Sequence, residues 1–507
     1  MKLNISILFF ITVLMAACRP VDYVKIEGGN FGQEVEFLSA LIEKNRALEE
    51  SGLRLLPEDN GSGVPAYSLV IELFSSWKHE YDYGYIIVSR TFFVPADDPL
   101  SARTNASLAA CLDGTETLVP INELAPPYVA LRVDGITADD ADYPLIRFTG
   151  VKIRSADDKK TTKQLEEKMS LIAEEVRNAH NILIHDRPQP VWLAAGGDLM
   201  LGRGASDILL REGPAGVFGE TAQMLYDADV AIVNLEGVIS NRGQMVPKSF
   251  NFRFSPEVTP ALRAAGIDAV LHANNHVFDF GEEAFLDSLS SLENSQIGVL
   301  GAGVDDDAAS RAFVFTADSE LFNFYGIASF PRERNGWDGA TAAAGPNRAG
   351  MLFAGRRGAE KLKERFSSDT RHPAGALPTM NIVFFHGGTE WSTLPDASTR
   401  ELYTELIGAG ADLVIGSHPH VAQGFEWVNG KPVFWSLGNY VFGGMGNTEG
   451  GEEGLFLRLA LFRRRLLYME PFPIILTHNR TDIAPPEKLQ TFYKRSKELR
   501  ERNPMQL

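Results

Sequence analysis

The 507-residue sequence has two cysteines, Cys18 and Cys111, too few for a disulfide-stapled scaffold or a thiolate metal cluster. It also lacks a basic excess: 48 Lys and Arg against 66 Asp and Glu give a formal charge of −18. With that sign no basic face offsets phosphate repulsion, which excludes a general nucleic-acid binder. An acidic polymer would be repelled equally unless metal ions or local basic residues intervene. Beyond the N-terminus there is no apolar run of about 18 residues, the length a membrane span needs, and repeats and low-complexity tracts are missing as well. What is present, 44% hydrophobic and 22% charged residues, suits a globular protein long enough for two or three domains with sizeable cores.

Residues 1–18 read as an export signal. Lys2 precedes an apolar stretch from Ile5 to Ala17, too short for a confident span, which ends Leu14-Met15-Ala16-Ala17-Cys18. Small residues just before a cysteine resemble the lipobox of bacterial lipoproteins, although Met15 stands where Leu is more usual. Cys18 would then carry lipid, making the chain an extracytoplasmic, membrane-anchored lipoprotein of the cell envelope. Cys111, in Ala109-Ala110-Cys111-Leu112, reads as a small buried hydrophobe.

Residues 21–155 mix strand-like runs such as Leu69–Phe74 with Pro, Gly and Asp punctuation, the pattern of a separate α/β accessory domain. Within it Val94-Pro95, Val133–Ile136 and Tyr143–Leu145 resemble segments of periplasmic solute-binding proteins, with an unclassified domain as the alternative. Thr161 and Gln164 suit a capping box, and Leu165, Met169, Ile172, Val176 and Ala179 recur at helical spacing. Residues 156–189 are therefore expected to form a helical linker, ended by Asp186-Arg-Pro-Gln-Pro190. The charged tail within 476–507 is expected to be a solvated terminal helix.

Between them, in 190–475, five short apolar runs read as buried strands: 191–195, 230–233, 269–271, 382–385 and 413–415. Each leads directly into a polar patch, respectively Gly197-Asp198, Asn234-Leu235-Glu236, Asn274-Asn275-His276, His386 and His418-Pro419-His420. Strand C-terminal ends are where α/β sheets collect ligands. Asp, Glu, Asn and His together suit Mn, Fe, Zn or Mg. Singly, each patch has a plain structural reading: Asp after Gly caps helices, Glu in a loop is solvated, and Asn-Asn-His is a turn with a packed imidazole. Gly196 and Gly197 would let the backbone turn tightly beside an ion. An extended His418-Pro419-His420 would point both imidazoles the same way.

The chain resembles the CapA family of capsule and poly-γ-glutamate synthesis proteins. The resemblance rests on Gly197-Asp198-Leu-Met-Leu-Gly-Arg203, Asn234-Leu-Glu-Gly237, Asn274-Asn-His276 with Asp279 and Gly281, His386-Gly-Gly-Thr-Glu390-Trp391, Gly416-Ser-His-Pro-His420 and Ser436-Leu-Gly-Asn439-Tyr-Val-Phe442. That family is similar in turn to calcineurin-like metallophosphoesterases, which implies a two-sheet sandwich flanked by helices. The resemblance implies two divalent ions, with Asp198 and His420 on one, Asn275, His386 and His418 on the other, and Glu236 between them. It implies His276 as a catalytic acid or orienting donor beside the leaving group. Arg203 is either a phosphate or carboxylate clamp or a surface ion-pair former. Glu390, Trp391 and Asn439 are candidates for the substrate side, with core cover for Trp391 and a turn for Asn439 as the plain alternatives. Where the phosphoesterases carry Asp-x-His, this chain has Asp198-Leu199-Met200, and Met is a soft, weak ligand for Mn or Mg. The expected function is metal-dependent hydrolysis of an anionic cell-envelope polymer or its precursor; the alternative is non-catalytic, metal-assisted binding or export of such a polymer.

Overall fold

The computed structural model of the protein describes residues 189–502 apart from 318–319, 334–335 and 370–376. Before residue 189 it describes 22–27, 38–40, 42–44, 53–55, 69–77, 86–101, 103, 105–112, 115–140, 143, 145–155 and 163–179. The signal segment with Cys18, Thr161 of the capping box and the segment 180–188 lie outside the described residues. Two compact units emerge, one drawn from Met1–Pro95, Asn105–Glu123 and Arg132–Pro188, the other from Ala96–Thr104, Leu124–Leu131 and Gln189–Leu507.

The larger unit is built on two large sheets, beside two short two-stranded ones. The first is built on four parallel strands, β1 (Val191–Met200), β2 (Val230–Leu235), β3 (Ala269–Leu271) and β4 (Gly298–Leu300). The second holds β5 (Phe313–Thr316), β6 (Leu321–Ser329), β7 (Thr379–Gly387), β8 (Leu413–Ser417), β9 (Phe425–Val428) and β10 (Lys431–Phe434), in the order β5-β6-β7-β8-β10-β9. β11 (Asn439–Phe442) returns to pair parallel with β1, and the antiparallel strands β12 (Glu453–Phe462), β13 (Arg465–Thr477) and β14 (Arg480–Ile483) extend the first sheet beyond β1.

Strand alternation explains the layers. Leu193, Ile232, Ala269 and Leu271 from the first sheet meet Phe322, Phe324, Ile382, Phe384 and Ile415 from the second in one shared core. Their neighbours one residue along point outward. Ala231, Val233 and Val270 are covered by Leu209 and Leu262 of the helices Ala205–Glu212 and Val258–Ala264. Tyr325, Ile327, Val383 and Phe385 are covered by Phe366, Leu402 and Leu406 of the helices Gly358–Asp369 and Ala397–Ala409. Burial on both faces is why these runs are almost continuously apolar. The two-sheet sandwich flanked by helices is the architecture expected from the resemblance.

The tail departs from expectation. Residues 480–483 are the edge strand β14, and the helix Leu489–Arg502 buries Phe492, Tyr493, Ser496 and Leu499. Their three- and four-residue spacing makes one apolar stripe on a helix whose other faces are charged, so it packs where a fully solvated helix was expected.

The smaller unit is a mixed sheet flanked in sequence by the helix Lys163–Ala179. Its strands run in the order Leu53–Leu55, Asp22–Glu27, Leu69–Trp77, Ile146–Ser155, Ile86–Asp97 and Leu118–Pro120. Ile172 of that helix is buried, as are Val94, Val133, Tyr143 and Cys111. Among the described residues no helix is long and apolar enough to cross a membrane.

Candidate metal centre

The parallel strands of both sheets deliver their C-terminal ends to one place. Asp198 sits near the end of β1 at a shift of register against β2. Gly197 does not make the tight turn expected of it. A Cβ there would lie 1.9 Å from the Gly438 carbonyl oxygen, so its bare backbone lets β1 approach the segment leading into β11. The Asp198 N–H donates to that same oxygen at 3.0 Å. Glu236 directly follows β2, Asn274, Asn275 and His276 follow β3, His386 lies in β7, and His418 and His420 follow β8.

The distances describe one buried cluster. Oxygen and nitrogen atoms of Asp198, Glu236 and His386 lie within 4.8 Å of one another. Asp198 Oδ1 is 3.6 Å from His386 Nδ1, and Oδ2 is 3.4 Å from His420 Nδ1. His386 Nε2 is 3.0 Å from Asn275 Oδ1 and 3.1 Å from His418 Nδ1. Glu236 Oε1 faces His276 Nε2 at 3.7 Å and His420 Nε2 at 3.9 Å. All six predicted ligands are buried.

His418 and His420 are not extended. Their φ angles are +101° and +58°, so both imidazoles are aimed by left-handed backbone, a strained conformation for side chains of this size. Trp391 shares it (φ +64°); its N–H donates to the Pro419 carbonyl and its ring lies 5.3 Å from that of His420. Asn439, expected on the substrate side, is fully buried. Its Oδ1 contacts His420 Nδ1 at 2.9 Å and its amide donates to Gly451 O, so it orients an imidazole. Glu390 is exposed, and its charge is felt at Glu236. Arg203 reaches the cluster through aromatic rings: its guanidinium lies over Phe252 and Phe442, whose rings in turn face His276 and His420. Met200 is turned to structure; it packs with Leu199, Leu201 and Phe254, and its sulfur accepts the Gly202 N–H at 3.0 Å.

Residues 192–444 match the family model described as bacterial capsule synthesis protein PGA_cap. Through this domain the chain belongs to the CapA family. The capsule biosynthesis protein CapA of Bacillus anthracis is 25% identical over 51% of this chain and 61% of its own length, so the match spans about three fifths of that relative. A probable polyglutamine synthesis accessory protein of Mycobacterium tuberculosis is 29% identical over 56% of this chain and 80% of its own. Among solved structures, a 5'-nucleotidase from Candida albicans aligns at 12% identity with a TM-score of 0.31, covering 62% of this chain and 58% of that one.

In this CapA-family domain the electrostatics test whether the cluster suits a cation. Burial pushes the Asp198 carboxyl up, but hydrogen bonds and charge from His386 and His420 outweigh it and hold Asp198 below the usual carboxylate range. Glu236 goes the other way: burial, then the Asp198 charge, carry it well above its ordinary value against the pull of His420. Burial lowers His386 and His418. It also lowers His420, yet the charges of Glu236 and Asp198 carry that imidazole up to about 9. Glu236 Oε1 is buried with no hydrogen-bond partner among the described residues. A buried, unpartnered carboxylate oxygen beside a second carboxylate is costly unless a proton or a cation joins them. The oxygen and imidazole donors around it fit a divalent metal.

A pH dependence follows. His420 is raised in the folded state above its unfolded value of about 6.5, so its contribution to stability is complete below that pH and lost as pH climbs through about 9. His386 and His418, lowered by folding, act in the opposite sense only at the low end of this window, where their unfolded imidazoles still take up protons. Metal competes with the same protons. The metal-free chain is therefore expected to lose stability between about pH 6.5 and 9, while the rise in Tm on adding Mn or Zn grows. Melts at three pH values with and without metal measure this; a metal increment that shrinks with pH contradicts it.

Three groups that sequence reasoning left without a role complete the centre. Asn234, at the end of β2, donates to Asp198 Oδ1 at 2.8 Å, contacts His386 Nδ1 at 3.1 Å and accepts from Asn274 at 3.1 Å. Asn274 also accepts the His276 N–H, fixing that loop. Lys248, its side chain 1% exposed, donates to Asp279 Oδ1 and to the Asn275 carbonyl and lies 4.3 Å from the Trp337 ring centre. The Asn-Asn pair stood inside quoted motifs; Lys248, in a Pro-Lys-Ser loop, carried no signal beyond its charge.

Proposed function

We propose that this domain is a metal-dependent hydrolase of phosphoesterase type that acts on an anionic cell-envelope polymer or its precursor. Its chain would be held outside the cytoplasm by lipid on Cys18, with residues 21–155 as an accessory domain joined through 156–189. The observation that carries the reading is the orphaned, buried Glu236 Oε1 among converging imidazoles and Asp198. Asp198 and His420 would hold one ion, Asn275, His386 and His418 a second, with Glu236 shared. Such a pair supplies an acidified water and positive charge for the attacked and leaving oxygens.

The protein's own groups then act around the reacting atoms. His276 donates Nδ1–H to Asp279 Oδ2 at 2.7 Å, which fixes its tautomer and presents Nε2 toward Glu236. Asn439 and Asn234 hold His420 and Asp198 in place. Arg203 and Trp391, both on left-handed backbone, flank the cluster where a polymer segment would lie. That relatives are named for capsule biosynthesis and polyglutamine synthesis supports a cell-envelope polymer as the substrate class in this reading.

The deciding experiment is metal analysis of the purified chain, expected to give about two Mn or Zn ions per molecule. Asn275→Ala combined with His418→Ala should remove metal and all turnover of phosphoesters or γ-glutamyl polymers; a double variant with full metal content refutes the ligand assignment. The Met200 sulfur, committed to Gly202, supports a second reading in which the ions tether polymer carboxylates without cleaving them. Metal-dependent polymer binding with no product after long incubation would favour it.

A further inference from the structure

The larger unit carries a second candidate site, none of whose residues belongs to the metal centre. A cavity of about 270 Å³ is lined by Tyr128, Trp427, Lys431, Arg463, Arg464 and Arg465, among others. Four cationic side chains around one small cavity are notable in a chain of charge −18.

The backbone shows that their placement is not incidental. The β12–β13 hairpin pairs Phe462 with Arg465, so Arg463 and Arg464 form its two-residue turn, with φ of +50° and +59°. A turn with both central residues left-handed strongly prefers Asn-Gly. The neighbouring β9–β10 hairpin follows that rule with Asn429-Gly430, at φ +50° and +70°. In the first hairpin two arginines occupy the strained positions. Glu320 holds them there, its carboxylate accepting the Arg463 and Arg464 N–H groups at 2.7 and 2.6 Å. The buried Asp412 accepts from Lys431 Nζ at 2.7 Å and Arg464 Nη2 at 2.9 Å. Strain kept against turn preference points to function. The apolar side of the cavity adds a second sign: Trp427 is buried, yet its indole N–H has no hydrogen-bond partner among the described residues.

We infer that this cavity binds a flexible chain bearing carboxylates. Arg464 already sets its fork on both oxygens of Asp412, and Arg463 and Arg465 bring two more guanidinium groups of the kind that pairs with carboxylates two bonds at a time. The faces of Tyr128 and Trp427 suit the methylene groups between them. A bare inorganic anion would use the cations and leave the aromatic wall idle. The site needs no metal, so it stands or falls independently of the hydrolase reading.

The test uses the full chain in EDTA at fixed low salt, titrated with a fluorescent glutamate decamer and, separately, with inorganic phosphate. Arg463→Asn with Arg464→Gly installs the residues the turn prefers. This variant should melt no lower than the parent and bind the decamer at least about tenfold more weakly, whereas lysine at both positions should restore part of the affinity. Undiminished decamer binding by the Asn-Gly variant, tighter binding of phosphate than of the decamer, or a requirement for added divalent metal would each overturn the proposal.

Discussion

Glu236→Gln is expected to lower divalent-metal affinity by at least about a hundredfold, since even groups one shell removed from a metal cost 10–100-fold when replaced. The same change should make the metal-free chain more stable, which separates it from ordinary core damage. In the native protein Glu236 is fully buried, Oε1 lacks a hydrogen-bond partner, and the Asp198 charge stands nearby. Gln keeps the shape, removes the carboxylate repulsion and still accepts from Asn234, which now contacts Oε2 at 3.4 Å. Its amide N–H would face the His276 Nε2 that Oε1 faces now, a nitrogen that the Nδ1–H donation to Asp279 leaves as an acceptor. Relief of one buried, unpaired polar group is worth about 1–3 kcal/mol, so Tm in EDTA should rise by a few degrees and the further rise on adding Mn or Zn should vanish. A variant that melts lower in EDTA while holding its full metal content would show that Glu236 is a packed side chain and no ligand.

The parts of this centre that were legible before the structure share a physical cause. A strand buried on both faces writes itself as an unbroken apolar run, and the polar patch after it has to meet something at the sheet edge; the patches that hold Asp198, Glu236, Asn275, His386 and His418 are legible this way, and the family resemblance implies which residue in each is a ligand. What stayed hidden depends on backbone that an apolar pattern does not encode. Left-handed φ at His418 and His420 is invisible in a His-Pro-His string, which reads more simply as extended. The role of Gly197 is set by a carbonyl 241 residues away in sequence, at Gly438, and no local rule reveals that approach. Met200 sat where a missing ligand could be counted, yet nothing in the string showed its sulfur occupied by the Gly202 N–H. In the tail helix the charged residues dominate the string and read as a solvated helix, while the fold buries the stripe Phe492, Ser496 and Leu499.

His276→Asn is expected to leave metal content unchanged and, on the hydrolytic reading, to lower kcat by on the order of 10²–10⁴, the usual contribution of a positioned acid or base. The argument starts from Asp279. Its Oδ2 accepts His276 Nδ1–H at 2.7 Å and the Phe252 N–H at 2.7 Å, while Oδ1 accepts from Lys248 at 2.9 Å, so the carboxylate is locked and the imidazole locked by it. With Nδ1 committed as a donor, Nε2 carries a proton only when the ring is cationic. Burial works against that state and so does Lys248, while Asp279 favours it; the net shift is downward. The ring is therefore a strong acid when protonated, suited to give a proton to a departing oxygen and poorly suited to keep one. Two signatures follow. The deficit of the variant should be largest for substrates with a basic leaving group and should shrink for a p-nitrophenyl ester, whose leaving oxygen needs little help. Asp279→Asn should weaken the same leaving-group dependence while costing less than complete removal of the ring, because the ring remains but loses its preferred tautomer. Equal deficits on both substrate types, with metal content intact, would place His276 among the groups that hold the loop and leave the leaving oxygen to another donor.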